Sequence, residues 1–502
     1  MGENLEAQYT DRIVEMYKDK TLFITGGTGF MGKVLIEKLL RCFTDVKKIF
    51  MMVRTKKGKH PNDRIKEIFS GPLFDTVRKE KGDEVLKKIV PIVGDVSLPN
   101  LGLCPEDRER ITKEVDIIYH CAATIRFDEA LKKAVLLNVR GTKLMLDLAK
   151  ECKALKCFVH VSTAYCHLNE KILYEKVYPP PTNPHDMIRT VEWMSEEVID
   201  MITPKLLGDI PNTYAFTKAL GEALVVEQKD KLPVIILRPS VVIPIWKEPL
   251  PGWTDNINGP TGLLIGAGKG VIRTMYCQTD SYADYMPVDI FVNATVLSVY
   301  DYVGNKSDRW IYNLTSSSEH KITMEEIINI GRRVIEERIP LNGVAWYPGG
   351  SMKRSKIVHY ICFFLFHLVP AVLVDALLTI LGYKPVLIRV QKRILKGFEV
   401  FEYYANNQWD FNNDVCMEAR KTMNPLEREK YKVDGDGVDY FEYFTDCVHA
   451  ARLYILKETD DTLPAARRHM KVMWVVDKLF KTFFIVLLLY FLYKKIFLPF
   501  LS

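Results

Sequence analysis

The chain has 502 residues, 48% of them hydrophobic and 26% charged, which is enough for two or three folded domains and excludes a disordered chain. With 69 Lys+Arg against 63 Asp+Glu the net charge is +6, too mild and too dispersed to imply nucleic-acid binding. The 10 cysteines, about 2% of the chain, are too sparse for a disulfide scaffold, and with no C-x-x-C pair among them they argue against a zinc site and point to a reducing compartment.

The opening MGENLEAQYT has neither a basic n-region nor an apolar h-region, so it does not read as a secretory signal. Glu6 also breaks the myristoylation pattern. From residue 21 to about 237, short apolar runs alternate with apolar residues at helical spacing. The runs at 21–25, 49–53, 89–93, 115–120, 158–161 and 234–237 are the candidate strands. This rhythm predicts an α/β fold with a Rossmann-type, doubly wound parallel sheet. It breaks between Tyr165 and Asn212, where Pro179, Pro180 and Pro181 exclude helix and central strand.

The first strand runs into Gly26-Gly27-Thr28-Gly29-Phe30-Met31-Gly32, and a helix begins near Phe30. Glycines at this spacing permit a tight turn, close approach of the backbone to a pyrophosphate and close helix–strand packing. The helix N-terminus adds amides and partial positive charge, so the loop reads as a dinucleotide site. At the end of the second strand stands Arg54, followed by Thr55, Lys56 and Lys57, where an NAD site would carry an acid. A guanidinium suits a 2′-phosphate, so NADPH is the expected cofactor. Asp95, after the third strand, either meets the adenine or caps its own turn. Ala122 and Ala123, after the fourth, either admit the cofactor to the backbone or simply pack.

His160-Val161-Ser162-Thr163-Ala164-Tyr165 ends the fifth strand and brings two hydroxyls to the edge where α/β sheets bind ligands. Tyr214 and Lys218 follow at i, i+4 on a predicted helix. An ammonium one turn from a phenol stabilises the phenolate and lowers its pKa. Asn138 is placed to hold a water or the backbone of the site, or to serve the fold alone.

The stretches TGGTGFMGKVLIEKLLR, HCAATIRFDE, HVSTAY, YPPP, ITPKLLGDIPNTYAFTKAL, LRPSVV, WKEPLPGWTDNINGP and LPAARRH, in this order, resemble the alcohol-forming fatty acyl-CoA reductases of the extended short-chain dehydrogenase/reductase superfamily. The resemblance runs from about Lys20 to about His469. It implies reduction of a long-chain fatty acyl-CoA to a primary alcohol and free CoA, with two NADPH consumed and no metal. It carries Tyr214 and Lys218 over as the catalytic pair, with Thr163 or Ser162 polarising the carbonyl and Thr163 preferred. The implied cofactor residues are Gly26, Gly27, Thr28, Gly29, Phe30, Met31, Gly32, Arg54, Asp95, Ala122, Ala123, Lys218 and Pro239. Two alternatives stay open: an extended reductase acting on a sterol or nucleotide sugar, and a non-catalytic NADPH-binding scaffold.

The expected domains are 15–330 for the reductase with its substrate lobe, 331–465 for a helical C-terminal (sterile) domain and 470–502 for a membrane anchor. Within 357–381 lie 25 predominantly apolar residues, nominally long enough to span a bilayer. His359, His367, Pro370 and Asp375 interrupt them, which leaves a membrane-facing or buried helix pair as the alternative. Residues 479–498 are more uniformly apolar, with Lys481, Lys494 and Lys495 placed to snorkel, and read as the anchor. The expected setting is a bilayer-attached enzyme facing the cytosol. The endoplasmic reticulum is favoured over the peroxisome, and the oligomeric state is not legible.

Overall fold

The computed structural model describes residues 2–55, 58, 60–255, 259–316 and 319–494. They divide into two compact units. The first comprises 1–250, 283–321 and 407–437, the second 251–282, 322–406 and 438–502.

The first unit is built on seven strands: β1 (Thr21–Thr25), β2 (Lys48–Val53), β3 (Ile89–Val93), β4 (Ile117–His120), β5 (Cys157–Val161), β6 (Val234–Pro239) and β7 (Ile311–Leu314). The spatial order is β3-β2-β1-β4-β5-β6-β7, and every adjacent pair is parallel. This is the expected doubly wound sheet. The order reverses between β1 and β4, which opens the crevice at the carboxyl ends of the strands where such sheets take ligands. Strands β1, β4, β5, β6 and β7 are buried along their whole length, as sheets covered on both faces require.

Two helices position the site. Helix α1 (Phe30–Cys42) follows β1 and turns Val34, Leu35, Leu39 and Leu40 inward. Helix α2 (Thr213–Val226) buries Phe216, Leu220, Leu224 and Val225 in the same core as Phe23, Ile118 and Phe158. Gly221 lets α2 approach its neighbour closely, since a Cβ there would stand 2.8 Å from the Asn138 carbonyl oxygen.

The second unit is mostly helical, with a small core of Val334, Ile335, Leu341, Val344, Val448 and Met470. Its long helices are α3 (Lys356–Ile380), α4 (Leu387–Ala405) and α5 (Leu463–Leu492). Among the described residues, α3 alone is long and apolar enough to cross a membrane by the joint test of hydropathy and charge. Of the anchor expected at 479–498, residues 495–498 lie outside the described residues.

Candidate active site

The glycine loop lies directly on the end of β4. Gly26 adopts φ +75°, and a Cβ there would come within 2.7 Å of the Cys121 carbonyl carbon and 2.8 Å of the Ala122 nitrogen. Gly32 is as constrained, because its Cβ would stand 2.4 Å from the Gly26 oxygen. At Gly27 a Cβ would press on Ile36 and Met51 at 3.0 Å. Gly29 caps α1 with no side chain, and its N–H closes the loop on the Gly26 oxygen at 2.9 Å. Thr28 lies in the turn, and Phe30 and Met31 begin the helix, so α1 opens with its first-turn amides and positive dipole end at the loop. Beside it, the Ala122 N–H donates to Thr25 Oγ1 at 3.2 Å, tying the ends of β1 and β4 together, with Ala123 next in the chain. The cradle fits the pyrophosphate of a nicotinamide dinucleotide.

Arg54 follows β2 with 59% of its side chain exposed and lies 3.8 Å from the Asp95 carboxylate. Asp95 caps its own turn, accepting from the Ser97 N–H at 2.9 Å and the Ser97 hydroxyl at 2.7 Å. Lys56 and Lys57 lie outside the described residues.

Asn212 caps α2 by accepting from the Ala215 N–H at 2.9 Å, which fixes Tyr214 in the first turn. The Tyr214 ring stacks on Phe127 at 5.5 Å between centroids. Burial pushes its phenol up to about 12, against the lowering effect of a hydrogen bond with the Thr163 side chain. The sequence suggested that the ammonium would lower this phenol; in the folded chain burial raises it, and the lowering influence comes from Thr163 rather than from Lys218. Lys218, one turn on, is buried, donates from Nζ to the Val161 carbonyl at 2.7 Å, and is pulled by burial down to about 8.

The two hydroxyls at the end of β5 have different partners. Ser162 donates its proton to Glu222 at 2.8 Å. Thr163 accepts from the Tyr165 N–H at 3.2 Å, sits 3.4 Å from the Pro239 carbonyl and meets the Tyr214 side chain. The structure therefore brings Tyr214, Lys218, Thr163 and Pro239 together and turns the Ser162 hydroxyl toward Glu222.

Glu222 was missed by sequence reasoning. It continues the four-residue rhythm of Tyr214 and Lys218, yet only 2% of it is exposed. Arg238 on β6 grips it twice, from Nη2 to Oε1 and from Nε to Oε2 at 3.1 Å. Two more Arg238 donors go to the Tyr174 and Lys176 carbonyls at 3.0 and 2.8 Å, so four of its five N–H groups are used. Burial pushes the Glu222 carboxyl up, but Arg238 and His167 outweigh it and hold the group well below the usual carboxylate range. The pair braces the β5 hydroxyl loop through Ser162. The signal in the sequence was a glutamate at i+8 from the tyrosine on a helix with few polar residues.

Asn138 sits in a π turn, Leu136–Arg140, and clamps the backbone of Thr124, accepting its N–H at 2.9 Å and donating to its carbonyl at 3.2 Å. A second donor reaches the Thr217 hydroxyl at 2.9 Å, so the side chain couples α2 to the segment after β4.

The family model described as "Male sterility protein" matches residues 24–295, and a second model of the same description matches 366–458. Fatty acyl-CoA reductase 1 of Rattus norvegicus is 39% identical over 95% of this chain and 92% of that protein. Its namesake in Homo sapiens is 38% identical, also over 95% and 92%. Fatty acyl-CoA reductase wat of Drosophila melanogaster is 37% identical over 89% of this chain and 86% of that protein. Among solved structures, the reductase domain of a Mycobacterium tuberculosis non-ribosomal peptide synthetase has a TM-score of 0.59 at 18% identity, covering 88% of this chain and 96% of that one. The terminal R domain of the myxalamid pathway scores 0.58 at 20% identity, covering 88% and 92%, and both share the fold. On this sequence similarity along nearly its whole length, the chain belongs to the fatty acyl-CoA reductase family.

Proposed function

We propose that the chain reduces a long-chain fatty acyl-CoA to the primary alcohol and free CoA, in two stages each consuming one NADPH. The observation that carries this reading is the meeting of Tyr214 with the Thr163 hydroxyl at the carboxyl end of β5, with Lys218 one turn along α2. When bound, NADPH supplies the hydride for each stage. Gly26, Gly27, Gly29 and Gly32 with the α1 N-terminus would hold its pyrophosphate, and Lys218 and the Ala122–Ala123 backbone its nicotinamide half. Arg54 would face a 2′-phosphate, since no acid occupies that position at the end of β2.

The residues act on the substrate carbonyl. Thr163 and Tyr214 donate hydrogen bonds to the oxygen as it gains negative charge, an interaction worth about 10²–10³ in rate for each well-placed donor. Tyr214 then delivers a proton to that oxygen. The oxygen then gives up this proton to the departing sulfur as the carbon–sulfur bond breaks, so that CoA leaves as the thiol and an aldehyde remains. A second reduction and protonation at the same oxygen give the alcohol. Lys218 fixes the end of β5 through the Val161 carbonyl and supplies positive charge while it remains protonated.

The test is purified full-length protein offered NADPH or NADH with a series of acyl-CoAs, sterols and nucleotide sugars. Acyl-CoA-dependent oxidation of NADPH in preference to NADH, with that preference lost in Arg54→Ala, is the expected result. Turnover of a sterol or nucleotide sugar alone, or an Arg54→Ala enzyme with undiminished NADPH preference, would overturn the substrate or the cofactor reading respectively.

A further inference from the structure

Helix α3 is built inside out. His359, Phe363, His367, Ala371 and Asp375 recur every four residues, and all five are buried. The polar members are hydrogen-bonded within their own unit. His367 accepts the Arg273 N–H on Nε2 at 2.9 Å and meets the Gln391 oxygen from Nδ1 at 3.0 Å. His359 meets the Thr274 hydroxyl at 3.2 Å. Asp375 accepts the Val386, Leu387 and Ile388 amides at 2.8–2.9 Å, closing the start of α4 against α3.

The opposite face is apolar and exposed among the described residues: Ile357 is 73% exposed, Leu373 65% and Ile380 81%. A helix spanning the bilayer alone would have to hold two imidazoles and a carboxylate in hydrocarbon. Here protein satisfies all three, and one face is left bare. Charge identifies what covers it. Residues 353–405, through the end of α4, contain eight Lys and Arg against three acids, of which Asp375 is buried and Glu402 pairs with Lys356 at 2.5 Å. Lys384, Arg389, Lys392 and Arg393 stand exposed in the loop after α3 and the first turns of α4, the segment that Asp375 ties to α3, the composition of an element lying in an anionic lipid interface.

Helix α5 is tied to the same place. Its Asp477 is buried, accepts from Trp346 Nε1 at 2.6 Å and lies 3.7 Å from the guanidinium of Arg273, whose own N–H holds His367. Beyond Asp477, Leu479, Phe483, Leu488 and Leu489 are exposed.

We propose that α3 is a monotopic membrane element, its apolar face seated about 5–10 Å into the headgroup boundary of an anionic bilayer. This rests on the reading that the chain attaches to a membrane and adds an attachment independent of the C-terminal helix. The test is Leu373→Cys in the full-length protein, labelled with an environment-sensitive fluorophore, against labelled wild type as background. Leu488→Cys on α5 and Met201→Cys on the first unit serve as references. Vesicles of phosphatidylcholine and phosphatidylserine carry a spin label at a shallow or a deep acyl position. The expected result is several-fold stronger quenching at Leu373 by the shallow label than by the deep one, weakened when phosphatidylserine is omitted, with Met201 unquenched. Quenching at Leu488 alone overturns this proposal and leaves the C-terminal attachment standing, whereas quenching at neither position removes both. Stronger quenching at Leu373 by the deep label means a span, and cross-linking of Leu373 to a second copy without lipid quenching means a protein interface; either overturns the interfacial placement.

Discussion

Helices α2 and α3 use one device for opposite ends. Each places titratable side chains at four-residue multiples along one face: a half-buried Tyr214 with buried Lys218 and Glu222 in the first, buried His359, His367 and Asp375 in the second. They differ in what meets the rest of the helix. In α2 eleven of fourteen residues are buried, so its polar groups sit in a dry interior where charge interactions are strong. In α3 the polar stripe faces protein and the apolar remainder is exposed among the described residues. Spacing alone therefore does not distinguish a catalytic face from a docking face; the surroundings decide.

The sharpest break in this comparison is Tyr214→Phe, which removes the proposed proton donor while keeping the ring on Phe127. The rate should fall about 10²–10⁴-fold, with the affinity for NADPH, read by fluorescence titration, unchanged. Next is Glu222→Gln, which leaves the Arg238 guanidinium buried without its counter-charge and should cost about 3–5 kcal/mol in urea unfolding. Replacing both partners with apolar residues should recover much of that stability, yet not full activity, because Ser162 would then lose its acceptor.

Packing gives the next contrast. Leu220→Ala in α2, at a position with no exposure, should cost about 2–5 kcal/mol. Leu373→Ser in α3 should change the unfolding free energy in detergent-free buffer by less than about 0.5 kcal/mol. A large loss at Leu373 would mean that its face is covered by protein after all.

Lys218 gives a pH signature. Its pKa is lowered from 10.5 to about 8, so above pH about 8 the folded chain releases a proton that the unfolded chain still holds. Stability should rise with pH between about 8 and 10 as the cost of burying the ammonium is relieved. Over the same range kcat/KM for the cofactor should decline. Lys218→Arg, which stays protonated throughout, should remove that descending limb.

The parts set by local chemistry were legible in the sequence. The glycine loop, six of the seven strands and the Tyr214–Lys218 spacing each leave a short-range pattern. Strand β7 left none, because four residues after a turn carry no periodicity. The Glu222–Arg238 pair was hidden because a helical glutamate is ordinarily solvated, and only the fold brings β6 against it. For α3, average hydropathy hid the decisive fact, although the eight-residue spacing of His359, His367 and Asp375 was there to suggest one face.

The most direct test of the central claim follows the label from NADPH deuterated at the transferred position into product, with full-length enzyme and palmitoyl-CoA. The account predicts an alcohol carrying two deuteriums on its first carbon and two NADPH oxidised per acyl-CoA consumed. A free aldehyde with a single deuterium and one NADPH oxidised, or NADPH oxidation independent of acyl-CoA, would contradict it.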